Sequence, residues 1–210
     1  MSSLVAKGED RKRYPILDAG GYFARCYAII DVGEQYSKAF DNYSHKVVFI
    51  WELPTETIDV DGEEKPRAIS ETYTLSLGEK SNMRKMLENW RGRAFTAEEL
   101  EGFDLENVLG AACMLNVIHK IKQNGEPFAK IGGVNKLPKG MEVPTLVNPK
   151  KLFSLKDADA LDAMKELPEW IQNRIRESRT YRDMITPSGD GTQGSDDFSI
   201  IDDGDGDIPF

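Results

Sequence analysis

Cysteine and histidine are both scarce in this sequence. Only Cys26 and Cys113 are present, each in a stretch that predicts a β-strand. Two isolated cysteines do not make the disulfide framework of a small secreted domain, so we expect buried, reduced thiols. His45 and His119 would complete four zinc ligands, but no pair has the short spacing that places two ligands on one turn. We expect neither a metal site nor a cofactor.

Long apolar runs are also absent. No stretch approaches the roughly 20 apolar residues that a membrane-spanning helix needs, and residues 1–13 lack the apolar centre of a signal peptide. These observations predict a cytoplasmic protein without a membrane anchor. A chain of 210 residues is short for two full domains, so one core with appendages is expected.

Positive charge is missing from the last part of the chain. The formal net charge is −9, and residues 187–210 contain seven Asp but no Lys or Arg. All 27 basic residues and 29 of the 36 acidic residues lie in the remainder, which is nearly neutral. A nucleic-acid-binding surface would therefore be a local stripe rather than a global field.

Hydrophobic periodicity predicts three strands and a helix in the first half of the body. Residues 22–32 are rich in aromatic and β-branched side chains, and residues 44–53 alternate with a period of two. The Asp61-Gly62 turn leads to a third strand over residues 68–77, in a hairpin expected to have a long, acidic, mobile tip. Ser76 and Glu79 predict a capping box for a helix whose apolar face comprises Met83, Met86, Leu87 and Trp90.

Two further strands follow. Thr96 and Glu99 predict a second capping box for a short helix, and residues 111–121 and 128–134 predict a hairpin around Asn124-Gly125. Five strands with a helix between the third and fourth is the element order of the OB-fold, whose face and loops bind oligonucleotides and oligosaccharides. We predict a mainly β protein with α additions, built on a five-stranded OB-fold barrel.

The chain beyond the barrel contains a basic, proline-rich strap and two predicted helices. Ser154 is expected to cap the first helix and Pro168 to begin the second, and these helices pack either on the barrel or on another copy. The predicted organisation is an N-terminal arm (1–20), an OB-fold domain (21–137), a strap with C-terminal helices (138–186) and a disordered acidic tail (187–210).

The acidic tail ends in Asp207-Ile208-Pro209-Phe210. Proline stiffens the backbone between two apolar side chains, and a pocket that accepts the ring and pairs a cation with the carboxylate would recognise this end. Acidic residues followed by D-I-P-F resemble the C-terminal tip of bacterial single-stranded DNA-binding proteins. The resemblance implies recruitment of helicases, exonucleases, polymerases or recombination mediators by the tip residues Asp205, Asp207, Ile208, Pro209 and Phe210.

The body departs from the bacterial proteins in length and motifs. The segments HKVVFIWELP and YTLSLGEKSNMRKMLENWRGR are similar to OB-type proteins from bacteriophage replication modules. This resemblance implies a phage-encoded protein that acts in replication, recombination or repair in the host cytoplasm. The subunit number stays open, with a homo-oligomer as one alternative.

An OB groove holds single strands by stacking bases on aromatic rings and pairing phosphates with Lys or Arg, and each stacked base contributes roughly 1–3 kcal/mol. Phe49, Tyr73 and Trp90 are expected in the core instead. Packing and stacking are equally good interpretations for each exposed ring. The helix and the turn after it carry a basic cluster, in which the i, i+4 spacing of Lys80 and Arg84 predicts a shared face. A phosphate track and a solvated surface are equally good interpretations of this cluster, which comprises Lys80, Arg84, Lys85, Arg91 and Arg93. The candidate DNA-binding residues are Arg25, Tyr27, Tyr36, Phe40, Tyr43, Lys46, Trp51, Lys80, Arg84, Lys120, Lys122, Phe128 and Lys130.

No enzyme signature is present in the sequence. Glu79 stands where a phosphate-binding loop needs glycine before Lys80, and the Asp203-Asp205-Asp207 spacing lacks the remaining residues of a calcium loop. We expect a non-catalytic protein that binds and protects single-stranded DNA largely without sequence preference and recruits partners through its tip. The alternative is an OB-fold adaptor of a replication complex with little DNA affinity. The arginines from 174 to 182 are a hypothetical resting place for the tail.

Overall fold

The computed structural model describes residues 14–186, so the first part of the N-terminal arm, the acidic tail and the docking tip lie outside the described residues. The strands are β1 (Gly20–Ser37), β2 (Asn42–Val60), β3 (Glu63–Thr74), β4 (Ala112–Ile121), β5 (Pro127–Asn135) and β6 (Lys151–Phe153). The helices are α1 (Asn82–Arg91), α2 (Ala97–Glu101), α3 (Ala160–Ala163), α4 (Glu169–Glu177) and α5 (Arg179–Ile185), with 3₁₀ turns at Leu105–Val108 and Met164–Glu166.

Five antiparallel strands form one curled sheet in the order β3-β2-β1-β4-β5. Two shifts of the β1–β2 register, between Cys26 and Ala28 and between Asp31 and Gly33, interrupt the pairing, and such bulges bend a strand. The other edge of β1 pairs with two strands in turn. Residues 20–25 pair with β4, and residues 28–30 pair in parallel with β6. The predicted mainly β class with five antiparallel strands and C-terminal helices is confirmed.

One face of the sheet and helix α1 enclose the first core. Alternate residues of β2 point into this core, as their period of two predicts, and the Phe49 and Trp51 rings stack with centroids 5.6 Å apart. Tyr73 meets Phe49 edge-on at 5.7 Å. The expected core positions of Phe49, Tyr73 and Trp90 are confirmed. Helix α1 adds the four apolar residues of its predicted face, Met83, Met86, Leu87 and Trp90.

The opposite face of the sheet and the C-terminal segment enclose a second core. Val48 and Ile50 of β2 pack there with Ile171 and Ile175 of α4. The segment from residue 47 to residue 53 is therefore buried on both faces, which explains why it is apolar at almost every position. The C-terminal helices pack on the sheet of their own chain, the first of the two predicted alternatives.

Two charged side chains fasten the strap, residues 138–150, to the sheet. Arg25 donates hydrogen bonds to the backbone carbonyls of Val143 (2.9 Å) and Pro144 (2.7 Å), and to a third carbonyl at residue 110. The fully buried Glu52 accepts hydrogen bonds from the backbone N–H groups of Val147 and Asn148, both at 2.8 Å. A buried charge is tolerated when it is hydrogen-bonded, so these contacts fix the path of the strap.

The Asp31–His45 pair joins β1 and β2 to the C-terminal segment. His45 Nε2 lies 2.6 Å from Asp31 Oδ1, and the backbone N–H of Leu155 donates to the second carboxylate oxygen at 3.3 Å. The hydrogen bond to Asp31 raises the pKa of His45. Burial is the largest single influence and raises the pKa of Asp31, but the hydrogen bonds from His45, Gly33 and Leu155 and the charge of His45 together outweigh it, and the net shift is downward.

Several predicted local details are wrong. Ser81 caps α1, whereas Ser76 Oγ accepts a hydrogen bond from the Gly78 N–H and so closes a turn before the helix. Ser154 likewise closes a turn, because its Oγ accepts from the Lys156 N–H, and α3 begins only at residue 160. The predicted capping box of Thr96 with Glu99 in α2 is confirmed.

The β2–β3 hairpin has no long tip. Its strands remain paired up to Val60 and Glu63, and only Asp61 and Gly62 form the turn. Both turn residues have positive φ, 56° and 89°, which a two-residue hairpin turn requires and which Asp-Gly accommodates. No helix among residues 14–186 has the length and apolar character needed to cross a membrane.

Candidate nucleic-acid interface

Three predicted aromatic residues and two arginines meet at the β1–β2 hairpin. Tyr36 and Tyr43 are paired across the strands, with ring centroids 5.3 Å apart, and Phe40 lies in the turn between them with 78% of its surface exposed. From α5, Arg182 donates to the Tyr43 hydroxyl at 3.4 Å, and the Arg179 guanidinium lies 5.6 Å from the Tyr43 ring centroid. These five residues are the aromatic–arginine cluster.

The backbone of this hairpin turn is held by local hydrogen bonds. The Tyr36 hydroxyl donates to Asp41 at 2.6 Å, a contact that raises the pKa of Tyr36. The Phe40 N–H donates to the Ser37 carbonyl at 3.2 Å, and Asp41 has a φ of 47°, a conformation that Asp tolerates in turns. The turn is therefore fixed while the Phe40 ring stays in solvent.

A close approach of α5 to β1 positions both arginines of the cluster. Ser178 caps α5 by accepting a hydrogen bond from the Tyr181 N–H, and Thr180 Oγ1 accepts one from the Glu34 N–H at 2.9 Å. A Cβ atom at Gly33 would lie 2.7 Å from Ser178 Oγ, and the φ of Gly33 is 73°. Glycine at this position therefore allows α5 to dock beside the hairpin.

A cleft of about 970 Å³ is lined by residues of β2, β3 and β5 and by the start of α1. Three of its lining residues are Lys46, Lys80 and Lys130, and we call it the lysine cleft. Backbone at Gly132 and Gly133 leaves part of the wall without side chains. The polar lining includes Thr72, Thr74, Ser76, Ser81, Asn82 and Asn89, hydrogen-bonding groups of the kind that proteins present to phosphate oxygens.

The electrostatics of the cleft are weakly cationic, because Glu71 and Glu79 also line it. Lys46 Nζ donates to Thr74 Oγ1 at 2.8 Å, and partial burial together with the charge of Arg174 lowers the pKa of Lys46. Lys130 Nζ lies 3.2 Å from Glu71, which joins the two edge strands of the sheet.

Two hairpins lead into the lysine cleft. Strand β2 begins at Asn42, directly after the turn that carries Phe40, and reaches Lys46 after about 13 Å at 3.3 Å per residue. Strand β5 begins at Pro127, after the β4–β5 turn, and reaches Lys130 after about 10 Å. The two hairpin tips are therefore separated along their strands from lysines of the cleft by about 10–13 Å.

The β4–β5 hairpin brings together three of the other candidates. Lys120 is paired with Phe128 across the strands, and Lys122 Nζ lies 5.9 Å from the Phe128 ring centroid. Ile121 is 68% exposed between the two lysines and was not among the sequence candidates. The sequence signal for its exposure was its position between two lysines at the polar end of a strand that otherwise alternates between apolar and polar residues.

Three candidate DNA contacts have structural roles instead. The prediction for Trp51 is wrong, because its ring is fully buried in the first core. Tyr27 packs against the second core, and burial is the main cause that raises its pKa. The Arg25 guanidinium is occupied by strap carbonyls. Sequence periodicity placed Arg25 and Tyr27 on strand β1 but gave no sign that the C-terminal segment covers that face.

The basic residues around α1 are also largely neutralised. Arg84 Nε lies 3.0 Å from Glu88, while Arg91 and Arg93 both pair with Glu99. Lys80 precedes the first residue of α1, so the expected helix face shared with Arg84 does not form. Among the candidates in this region, Lys80 alone lines the cleft.

Arg179 and Arg182 were considered in the sequence only as a resting place for the tail. Their spacing of three residues predicts one helix face, but only the fold shows that this face meets Tyr43.

Within residues 14–186 no group of three or more His, Cys, Asp or Glu side chains is arranged to hold a metal ion. No protein-family profile and no curated protein sequence matches the chain.

Proposed function

We propose that this chain is an OB-type protein that binds and protects single-stranded DNA without catalysis and largely without sequence preference. The OB assignment is supported by the strand order, by α1 between β3 and β4, and by the Glu71–Lys130 contact between the two edge strands. The observation that carries the proposal is the aromatic–arginine cluster on a hairpin that leads into the lysine cleft.

The proposed binding mode uses rings for bases and cations for phosphates. Exposed Tyr36, Phe40 and Tyr43 offer π-faces to any base, because every base stacks, whereas Arg179 and Arg182 lie beside them to pair with phosphates. Lys46, Lys80 and Lys130 continue this charge into the cleft. Such contacts read no base edges, so binding is expected to be insensitive to sequence.

The second part of the proposal concerns the acidic tail, which lies outside the described residues. Its D-I-P-F sequence and flanking aspartates support docking to partner proteins of replication or recombination through an aromatic ring and negative charge. The full chain with Phe210→Ala should lose pull-down of such partners while its affinity for DNA stays equal or rises. Equal pull-down of partners by the unaltered chain and by Phe210→Ala would contradict docking through the tip.

A salt titration tests the DNA-binding part. The affinity of the full chain for labelled oligo-dT should fall with salt, with a slope of roughly −0.7 for each phosphate contact. Lys46→Ala and Lys80→Ala should each weaken binding and flatten this slope. Lys165→Ala is the matched control, because Lys165 is exposed and paired with Asp162 outside the cluster and the cleft.

The adaptor alternative is favoured by two observations. The cleft contains two glutamates, and the C-terminal segment covers one sheet face. If the protein has no micromolar affinity for oligo-dT at low salt, the adaptor is the better description. Binding that Lys46→Ala and the Lys165→Ala control weaken equally would also contradict a specific cleft.

A further inference from the structure

Phe40 differs from the other rings of the aromatic–arginine cluster. At 78% exposure it is the most exposed of the large apolar side chains in the described part of the chain. Tyr36 and Tyr43 pack against each other, and Tyr43 also meets both arginines, whereas Phe40 is in none of the ring pairs or cation–π contacts of residues 14–186. Single exposed apolar side chains are common on protein surfaces, but this ring also presents a free π-face on which a base can stack.

Hydrogen bonds and strand pairing hold the hairpin that carries this ring. The Tyr36–Asp41 and Phe40–Ser37 hydrogen bonds fix the turn, and β1 and β2 stay paired from Tyr36 and Tyr43 into the body of the sheet. Docking of α5 braces the hairpin from one side.

Cations lie beside the rings next to Phe40. Arg179 and Arg182 contact Tyr43, and the carboxylate of Asp41 accepts a hydrogen bond from the Tyr36 hydroxyl. A DNA strand that leaves the tip beside Tyr43 would meet both guanidinium groups, which can pair with its phosphates.

We propose that the β1–β2 hairpin tip is a wedge at junctions between single-stranded and double-stranded DNA. This inference rests on the proposed function. Phe40 stacks on the junction base pair and opens it, as inserted apolar side chains unstack base steps in other DNA-binding proteins. Arg179 and Arg182 retain the released strand. Coating of single strands also favours an open junction by mass action, so the wedge is distinguished by a loss with Phe40→Ala that another weakly binding variant does not show.

The test uses a DNA hairpin with an oligo-dT overhang and 2-aminopurine in the base pair next to the overhang. All forms are compared at saturating protein, so that differences in affinity do not contribute. The full chain should raise the fluorescence roughly threefold as the base unstacks, with no rise for 2-aminopurine in the middle of the duplex. Phe40→Ala should abolish the rise, and Phe40→Trp should retain it.

Lys46→Ala is the control variant that weakens binding but keeps Phe40. It should require more protein for saturation and then give the same fluorescence rise as the unaltered chain. An equal rise with Phe40→Ala, or no rise for the unaltered chain bound at saturation, would overturn the wedge while leaving single-strand binding intact. Absence of binding to the overhang itself would overturn the proposed function.

Discussion

Two hairpins of one sheet end in opposite chemistry. The β1–β2 tip carries Tyr36, Phe40 and Tyr43 beside two arginines, whereas the β2–β3 tip carries Asp59, Asp61, Glu63 and Glu64. Both turns contain a residue with positive φ, and both join long strands that are paired up to the turn. The two tips therefore differ in their side chains, with aromatic rings and arginines at one and mainly carboxylates at the other.

Reversing the charge of the aromatic tip should have the largest effect. Arg179→Glu with Arg182→Glu should weaken oligo-dT binding on the order of a hundredfold at low salt and lower the salt slope by about 0.7 per lost contact. Fluorescence anisotropy at several salt concentrations measures both. Unchanged affinity would show that the two tips do not differ in DNA binding.

Removing the exposed ring should have a smaller effect. Phe40→Ala should weaken oligo-dT binding about tenfold, within the range expected for one stacked base, without changing the salt slope. Val147→Ala is a matched control, because Val147 is also exposed (71%) but lies in the strap. Equal losses for both variants would argue against stacking.

The base of the aromatic hairpin should respond to pH. The pKa of His45 is raised by Asp31, so its contribution to stability is complete below the unfolded value near 6.5 and is lost as pH rises through the folded value. The melting temperature should therefore fall by a few degrees above neutral pH. His45→Gln should remove this component of the pH dependence, and an unchanged profile would contradict the role of the pair.

Neutralising the acidic tip should have the smallest effect. Glu63→Gln with Glu64→Gln should raise oligo-dT affinity less than about twofold at physiological salt, because exposed charges farther than roughly 8 Å from the ligand are screened. A large increase would mean that the acidic tip lies beside the bound strand.

Helical spacing was enough to predict the buried face of α1, and period-two alternation showed that β2 has two faces, because both depend on local geometry. Alternation alone did not show that Trp51 lies in the core with Phe49. The second core was not predicted. Val48 and Ile50 are apolar because a C-terminal layer covers them, and that contact joins residues more than a hundred positions apart.

The candidate site was predictable in kind but not in position. Loop aromatics and strand lysines were recognised by residue type, and Tyr36, Phe40, Tyr43 and Lys46 are at least partly accessible. Trp51 could not be distinguished from a surface ring, since burial depends on packing between distant elements. Arg179 and Arg182 acquire their position only when α5 docks at Gly33.

The buried carboxylate of Glu52 limits how the chain can be shortened. A fragment that stops after β5 would remove Val147 and Asn148, whose N–H groups donate to this carboxylate, and would leave water as its replacement partner. It would also uncover Val48 and Ile50 to water. The smallest fragment expected to fold extends through α5. The sheet that carries the lysine cleft and the C-terminal helices that cover its other face therefore belong to one folding unit.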